Sequence, residues 1–162
     1  CSAGGILTAE SIAWFQAHGL PNPAAIGVFC ASLNTLSEGD SAITAGPLNG
    51  MMPFRPRPGA EARPSFRMPY LADAKDNDPL AYPQQSPDLL RRFPPTLFVT
   101  GTRSFEFSAA LNSHNKLTAA GVDSRFHGWD GMVHGFFYNS EMPESREAYA
   151  VMVKFFEAHL AK

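Results

Sequence analysis

The sequence opens Cys1-Ser2-Ala3-Gly4-Gly5 and passes at once into residues 6–18, where Ile6, Ala9, Ala13 and Phe15 to Ala17 recur at broadly helical spacing. A serine flanked by small residues at a helix start suits a strained strand-to-helix turn. The backbone there passes close to itself, and a Cβ on a neighbour is expected to collide. The helix start behind it offers free amide donors and the positive end of a dipole, both useful where an oxygen becomes negative during a reaction. Ser2 is therefore a candidate nucleophile, set against the commoner role of a serine in this position, the helix N-cap. The full motif of such turns is Gly-x-Ser-x-Gly. Its leading glycine falls one position before Cys1, so the sequence is expected to start inside the motif of a longer chain.

Outward from this turn, Gly19 with Pro21 and Pro23 stops the first helix. Residues 25–31, Ala-Ile-Gly-Val-Phe-Cys-Ala, form a short apolar run between breakers, which predicts a strand buried on both faces. From 32 to 93 periodicity is lost and Pro47, Pro53, Pro56, Pro58 and Pro64 crowd together, so this stretch is expected to be a long surface excursion or lid-like loop. Order returns at 94–101, a strand running into a glycine turn. A helix follows over about 108–120, with Ser108 as N-cap, Leu111 and Leu117 as apolar contacts and Gly121 as the stop. Residues 122–129 predict another strand, and about 144–160 an amphipathic helix with Tyr149, Met152, Val153, Phe156 and Leu160 on one face.

Composition bounds the function classes. With 44% hydrophobic and 17% charged residues, the chain suits one globular domain or a piece of a larger one. A net charge of -2 gives no electrostatic case for nucleic acid or an anionic membrane, and no apolar run reaches transmembrane length. The two cysteines, Cys1 and Cys30, are too few for a disulfide framework and favour neither an oxidising nor a reducing compartment.

Alternating strands and helices make this an α/β chain with parallel crossovers. Working residues in such sheets gather at the carboxyl ends of strands. Ser2, the acidic loop from Thr100 to Glu106, and His134 all fall there, in the order serine, acid, histidine that a nucleophilic hydrolase uses.

Several further pieces sharpen the reading. Ser2-Ala3-Gly4-Gly5 before a helix, Asn77-Asp78-Pro79-Leu80, Pro94-Pro95-Thr96-Leu97 with Thr100-Gly101, Ala119-Ala120-Gly121-Val122, and Gly131-Met132-Val133-His134-Gly135-Phe136 stand in one order along almost the whole chain. So arranged, the sequence resembles the C-terminal half of an α/β-hydrolase of the hormone-sensitive-lipase group of esterases. The resemblance implies an α/β fold of parallel strands with flanking helices over residues 1–162, the N-terminal half and most of the cap lying outside the sequence. It implies that Ser2 accepts the acyl group, that His134 is general base and acid, and that the Ala3 amide donates to the oxyanion. The expected partners are a small-molecule ester and the missing N-terminal half as a separate segment or chain, with a homodimer as a further option; nucleic acid and membrane are not expected. No cofactor is expected, and the spacing of His18, His114, His127 and His159 supports no metal site, so these are read as surface or packing residues. Met51, Met52 and Phe54 are candidates to line an acyl pocket, and equally an apolar loop.

Three departures from the family pattern bear on chemistry. The usual triad Asp is Ser104 here, and a serine carries no charge to set against an imidazolium. Glu106, two residues on, has the reach to replace it; its alternative is a solvated loop carboxylate, while Asp123 and Asp130 are less well placed. Cys1 stands where relatives commonly have Asp and is expected to pack as a small buried residue. Without the first half of the sheet, the strand at 25–31 is expected to have an unprotected edge. Two other readings stay open: an N-terminal-nucleophile amidase using Cys1, and an α/β-hydrolase scaffold that binds a ligand after losing its acid.

Overall fold

The computed structural model describes residues 1–50 and 68–160. Helix α1 (Ala3–Ala17) begins immediately after Ser2, three positions earlier than helical spacing alone predicts. Ile6, Ala9, Ile12 and Ala13 are buried against the sheet, whereas Leu7 and Trp14, on other sides of the same helix, stay exposed. Strand β1 (Ile26–Phe29) follows. Ile26 and Val28 are buried, but Gly27 and Phe29 are only half-buried, so the expectation of a strand covered on both faces holds for one face alone.

The described parts of the stretch from 32 to 93, residues 32–50 and 68–93, include buried and helical segments. Helix α2 (Ser41–Leu48) forms although the sequence there shows no amphipathic period. Its start is pinned to a distant helix: the Ser41 hydroxyl donates to the Phe105 carbonyl at 2.8 Å and accepts from the Ser108 amide at 2.9 Å. Leu33, Leu36, Leu89, Leu90 and Phe93 are buried. Short helix α3 (Pro87–Leu90) is capped by Ser86, whose hydroxyl accepts from the Leu89 amide at 3.3 Å, with proline at the first position where no amide is needed. Met51, Met52 and Phe54, the candidate acyl-pocket residues, lie outside the described residues.

Strand β2 (Thr96–Gly101) is buried at every position and lies between β1 and β3 (Ser124–Trp129), all three parallel. Helix α4 (Phe107–Ala119) makes the crossover from β2 to β3. It begins one residue before Ser108, so Ser108 is not its N-cap and bonds Ser41 instead. Leu117 packs in the core, but Leu111 is exposed; the buried stripe is Ala109, Ala110, Ser113 and Leu117.

Two apolar layers sandwich the sheet. Val28 and Phe98 point into one, with α1 and α4; Leu97 and Val99 point into the other, with Phe136, Phe137 and helix α5 (Pro143–Leu160). The buried stripe of α5 is Ser145, Ala148, Met152, Phe155 and His159. Of the face expected from the sequence only Met152 is buried, while Tyr149, Val153 and Leu160 are exposed. His159 lies on the buried side, its ring nitrogens 2.7 Å from the Phe155 carbonyl oxygen and 3.1 Å from a carboxylate oxygen of Asp123, just before β3. Among the described residues, no helix is long and apolar enough to cross a membrane.

Candidate active site

Ser2 sits between sheet and helix in a strained conformation, φ 57° and ψ -122°. A side chain at positive φ costs energy that persists only where surrounding structure enforces it. The enforcement is visible: the Ser2 amide donates to the Phe29 carbonyl at 2.9 Å on the outer edge of β1. A Cβ added to Gly5 would lie 2.4 Å from the Ala31 Cβ, which forces glycine there. Gly4 has open space around it, so the crowding expected of both glycines falls on Gly5 alone. Ser2 stands at the N-cap position of α1 without making a side-chain capping bond, which leaves its hydroxyl unused by the helix. Ala3, the first residue of α1, carries one of the first-turn amides to which a helix supplies no acceptor.

The loop after β2 is tied to the loop after β3. The Thr102 amide donates to the Trp129 carbonyl and the Arg103 amide to the Met132 carbonyl, each at 2.9 Å. The Gly131 amide donates to the Thr102 hydroxyl at 2.8 Å. Gly101 permits this approach, since a Cβ there would lie 2.1 Å from the Met132 carbonyl oxygen. The two loops thereby hold Glu106 and His134 together, with the His134 Nδ1–H donating to Glu106 Oε2 at 2.8 Å.

Glu106 is completely buried, so it is no solvated loop carboxylate. Its Oε1 accepts from the Thr100 hydroxyl at 2.7 Å, and its Oε2 also accepts from the Ser104 hydroxyl. Burial opposes its ionisation, but the hydrogen bonds from His134, Ser104 and Thr100 outweigh that and hold the carboxyl below its usual range. Ser104, at the expected Asp position, lies 3.3 Å from His134 Nδ1 and so touches both partners. The Phe105 ring lies tilted against the imidazole, centroids 4.7 Å apart. The other carboxylates are occupied elsewhere: Asp123 with His159, and Asp130 as acceptor from the Thr102 hydroxyl at 3.1 Å.

The serine turn and the histidine loop meet at one end of the sheet. A Cβ on Gly135 would lie 4.0 Å from the Cys1 sulfur, and the Gly135 amide donates to the Cys30 sulfur at 3.3 Å. Cys1 is half-buried rather than enclosed. Cys30, just beyond β1, is fully buried with φ 46°, and burial together with the charge of Glu106 pushes its thiol up to about 12. Sequence reasoning did not place Cys30 in the site. Its only signal was an apolar run ending in cysteine, and nothing in that spacing relates it to residues so far along the chain. Ligand atoms of Cys30, Glu106 and His134 all lie within 4.8 Å of one another. The remaining histidines serve packing, as expected: His114 lies 2.8 Å from the Ser124 hydroxyl against Phe98 and Phe126, and His18 stacks on Trp14.

Comparison with known proteins agrees with this architecture. The sequence profile of the alpha/beta hydrolase fold matches residues 1–138. No curated protein matches the chain. Among solved structures, an esterase/lipase from an uncultured bacterium is similar at 23% identity and a TM-score of 0.76, over 99% of this chain and 52% of that one. The esterase EstE5, in a crystal soaked with p-nitrophenyl butyrate, is similar at 26% identity and a TM-score of 0.78, over 99% and 52%. An esterase of the bacterial hormone-sensitive lipase family gives 24%, 0.77, 98% and 51%. The chain thus spans about half the length of these solved structures.

Proposed function

Because this chain belongs to the α/β hydrolase fold family, we propose that it carries the nucleophile, base and acid of a serine carboxylesterase acting on short- to medium-chain carboxylic esters. The observation that carries the reading is the 2.8 Å hydrogen bond between the buried Glu106 carboxylate and the partly exposed His134. In this mechanism His134 Nε2 takes the Ser2 proton as the hydroxyl oxygen attacks the ester carbonyl carbon. Glu106, already ionised and held by three donors, stabilises the imidazolium and keeps Nδ1 protonated so that Nε2 is free to accept. The Ala3 amide receives the developing oxyanion, a contribution worth on the order of 3 kcal/mol in related hydrolases. His134 then protonates the leaving alcohol, and water activated by the same ring releases the acyl group from Ser2.

We also propose that catalysis uses a further segment or chain equivalent to the other half of the solved relatives. The exposed Leu7 and Trp14 of α1 and the outer edge of β1 support this. The amidase reading loses its basis, because that chemistry uses stacked antiparallel sheets and the described strands are all parallel. The binding-scaffold reading rested on Ser104; Glu106 supplies the carboxylate that Ser104 lacks.

An organophosphonate ester tests the proposal. Covalent labelling is expected on the peptide bearing Ser2, lost in Ser2→Ala and kept in Cys1→Ala. Labelling that depends on Cys1, or none when the complementary half is present, refutes it.

A further inference from the structure

We propose that Cys30, Glu106 and His134 form a site for one thiophilic divalent cation, of which Zn2+ is the type, and that its occupancy switches the esterase off. The three side chains carry the donor types such an ion prefers: a sulfur, a carboxylate oxygen and an imidazole nitrogen, whose ligand atoms lie within 4.8 Å of one another. Zn–S and Zn–N bonds of about 2.3 and 2.0 Å put tetrahedral ligand atoms roughly 3.5 Å apart, so the widest separation closes by about 1 Å while the His134 Nδ1–Glu106 Oε2 pair, 2.8 Å apart, opens to admit the ion. His134 is partly exposed and has the freedom to make that movement.

A second observation points to Cys30. It holds φ 46°, a conformation in which glycine would be relaxed, and its sulfur is turned to the histidine loop, where it accepts the Gly135 amide.

The consequence follows from proton positions. Without metal, Nδ1–H is bonded to Glu106 and Nε2 carries the lone pair that receives the Ser2 proton. A cation bonded at Nδ1 displaces the proton held there, and that proton moves to Nε2 and occupies its lone pair. The thiol proton leaves to solvent as the Zn–S bond forms, so about one proton is released per ion. With Nε2 protonated the ring has no site to accept from Ser2, and Glu106 is turned from the imidazole to the metal. The inhibitory consequence rests on the proposed roles of Ser2 and His134; binding itself does not.

The test is titration of the chain with Co2+ as a spectroscopic substitute for Zn2+. A thiolate-to-cobalt charge-transfer band is expected to saturate at about one equivalent, to be bleached by Zn2+, and to strengthen as pH rises. Cys30→Ser should abolish the band, Cys1→Ser should keep it, and Glu106→Gln should weaken affinity at least about tenfold. No band in the unsubstituted chain, a band surviving in Cys30→Ser, or a band lost in Cys1→Ser each overturns the site. If Cys30→Ser does not fold, Cys1→Ser decides, because the chain has 2 cysteines and a band there comes from Cys30 alone. Ester turnover is read separately: Zn2+ should abolish it and a chelator restore it. A cobalt band with undiminished turnover at saturating Zn2+ overturns the switch while leaving the site, whereas a band with no turnover even when the complementary half is supplied counts against the esterase reading and not the metal site.

Discussion

Glu106 and His134, 28 residues apart in sequence, are joined by a 2.8 Å hydrogen bond in which the carboxylate is wholly buried. A charge without water needs its lone pairs filled, and Thr100 and Ser104 fill those that His134 does not. Ser104, at the position where the family pattern expects the acid, thus donates to Glu106.

That arrangement predicts unequal kinetic effects. Glu106→Gln removes the charge facing the imidazolium and is expected to lower kcat by about 10^3- to 10^4-fold with little change in KM, the scale seen when a triad acid is amidated. Ser104→Ala leaves Glu106 its bonds from Thr100 and His134 and is expected to cost about tenfold or less. Steady-state rates on a p-nitrophenyl ester distinguish them; equal losses would mean that Ser104, not Glu106, orients the ring.

Stability should respond to acid through the same residue. The Glu106 carboxyl is held below its ordinary value of 4.5 in the folded chain, so folding favours its ionised form. Its contribution is fully present above pH 4.5, the unfolded value, and is lost as pH falls through the lower folded value. Urea midpoints of the unsubstituted chain should therefore drop below that pH, and Glu106→Gln should flatten this acid limb. An unchanged limb in the variant would assign it to other carboxylates, such as Asp123, whose hydrogen bond to His159 also holds it low.

Gly101→Ala is expected to separate the acid and histidine loops. The new methyl meets the Met132 carbonyl oxygen at 2.1 Å, a backbone atom that no rotamer change relieves. Destabilisation of about 1–3 kcal/mol, with a fall in kcat, should appear in thermal melts and ester assays, whereas Gly4→Ala, with open space around it, should leave the melt nearly unchanged.

Ser113 reports on the segment that sequence alone leaves without structure. Its buried hydroxyl accepts from the Leu33 amide at 3.0 Å and lies 2.6 Å from Gln84 Oε1, joining both ends of 32–93 to α4. Ser113→Ala strands those groups and should cost about 1–3 kcal/mol. Hydrogen exchange at Leu33 should rise more than exchange in β2.

How far the sequence reaches is set by the range of the forces involved. Ser2 before Ala3-Gly4-Gly5, the apolar strands and the Thr100-Gly101 turn are legible because conformational strain, strand burial and glycine's freedom act between near neighbours. These determined an α/β chain with a serine at a strand-to-helix turn and a histidine at a later strand end. The choice between Ser104 and Glu106 was not local, since both lie on one loop; it was made by where β2 aims Thr100 and where the loop after β3 delivers His134. Helical period likewise identified α5 but not its rotation, which packing against β2 and the Phe136–Phe137 pair decides by turning Ala148, Met152 and Phe155 inward. Helix α2 starts where Ser41 is bonded to Ser108, 67 residues away, a contact no local pattern announces. Cys30 entered the site for the same reason: only the parallel crossover from β1 to β2, and on to β3, brings its sulfur to Gly135.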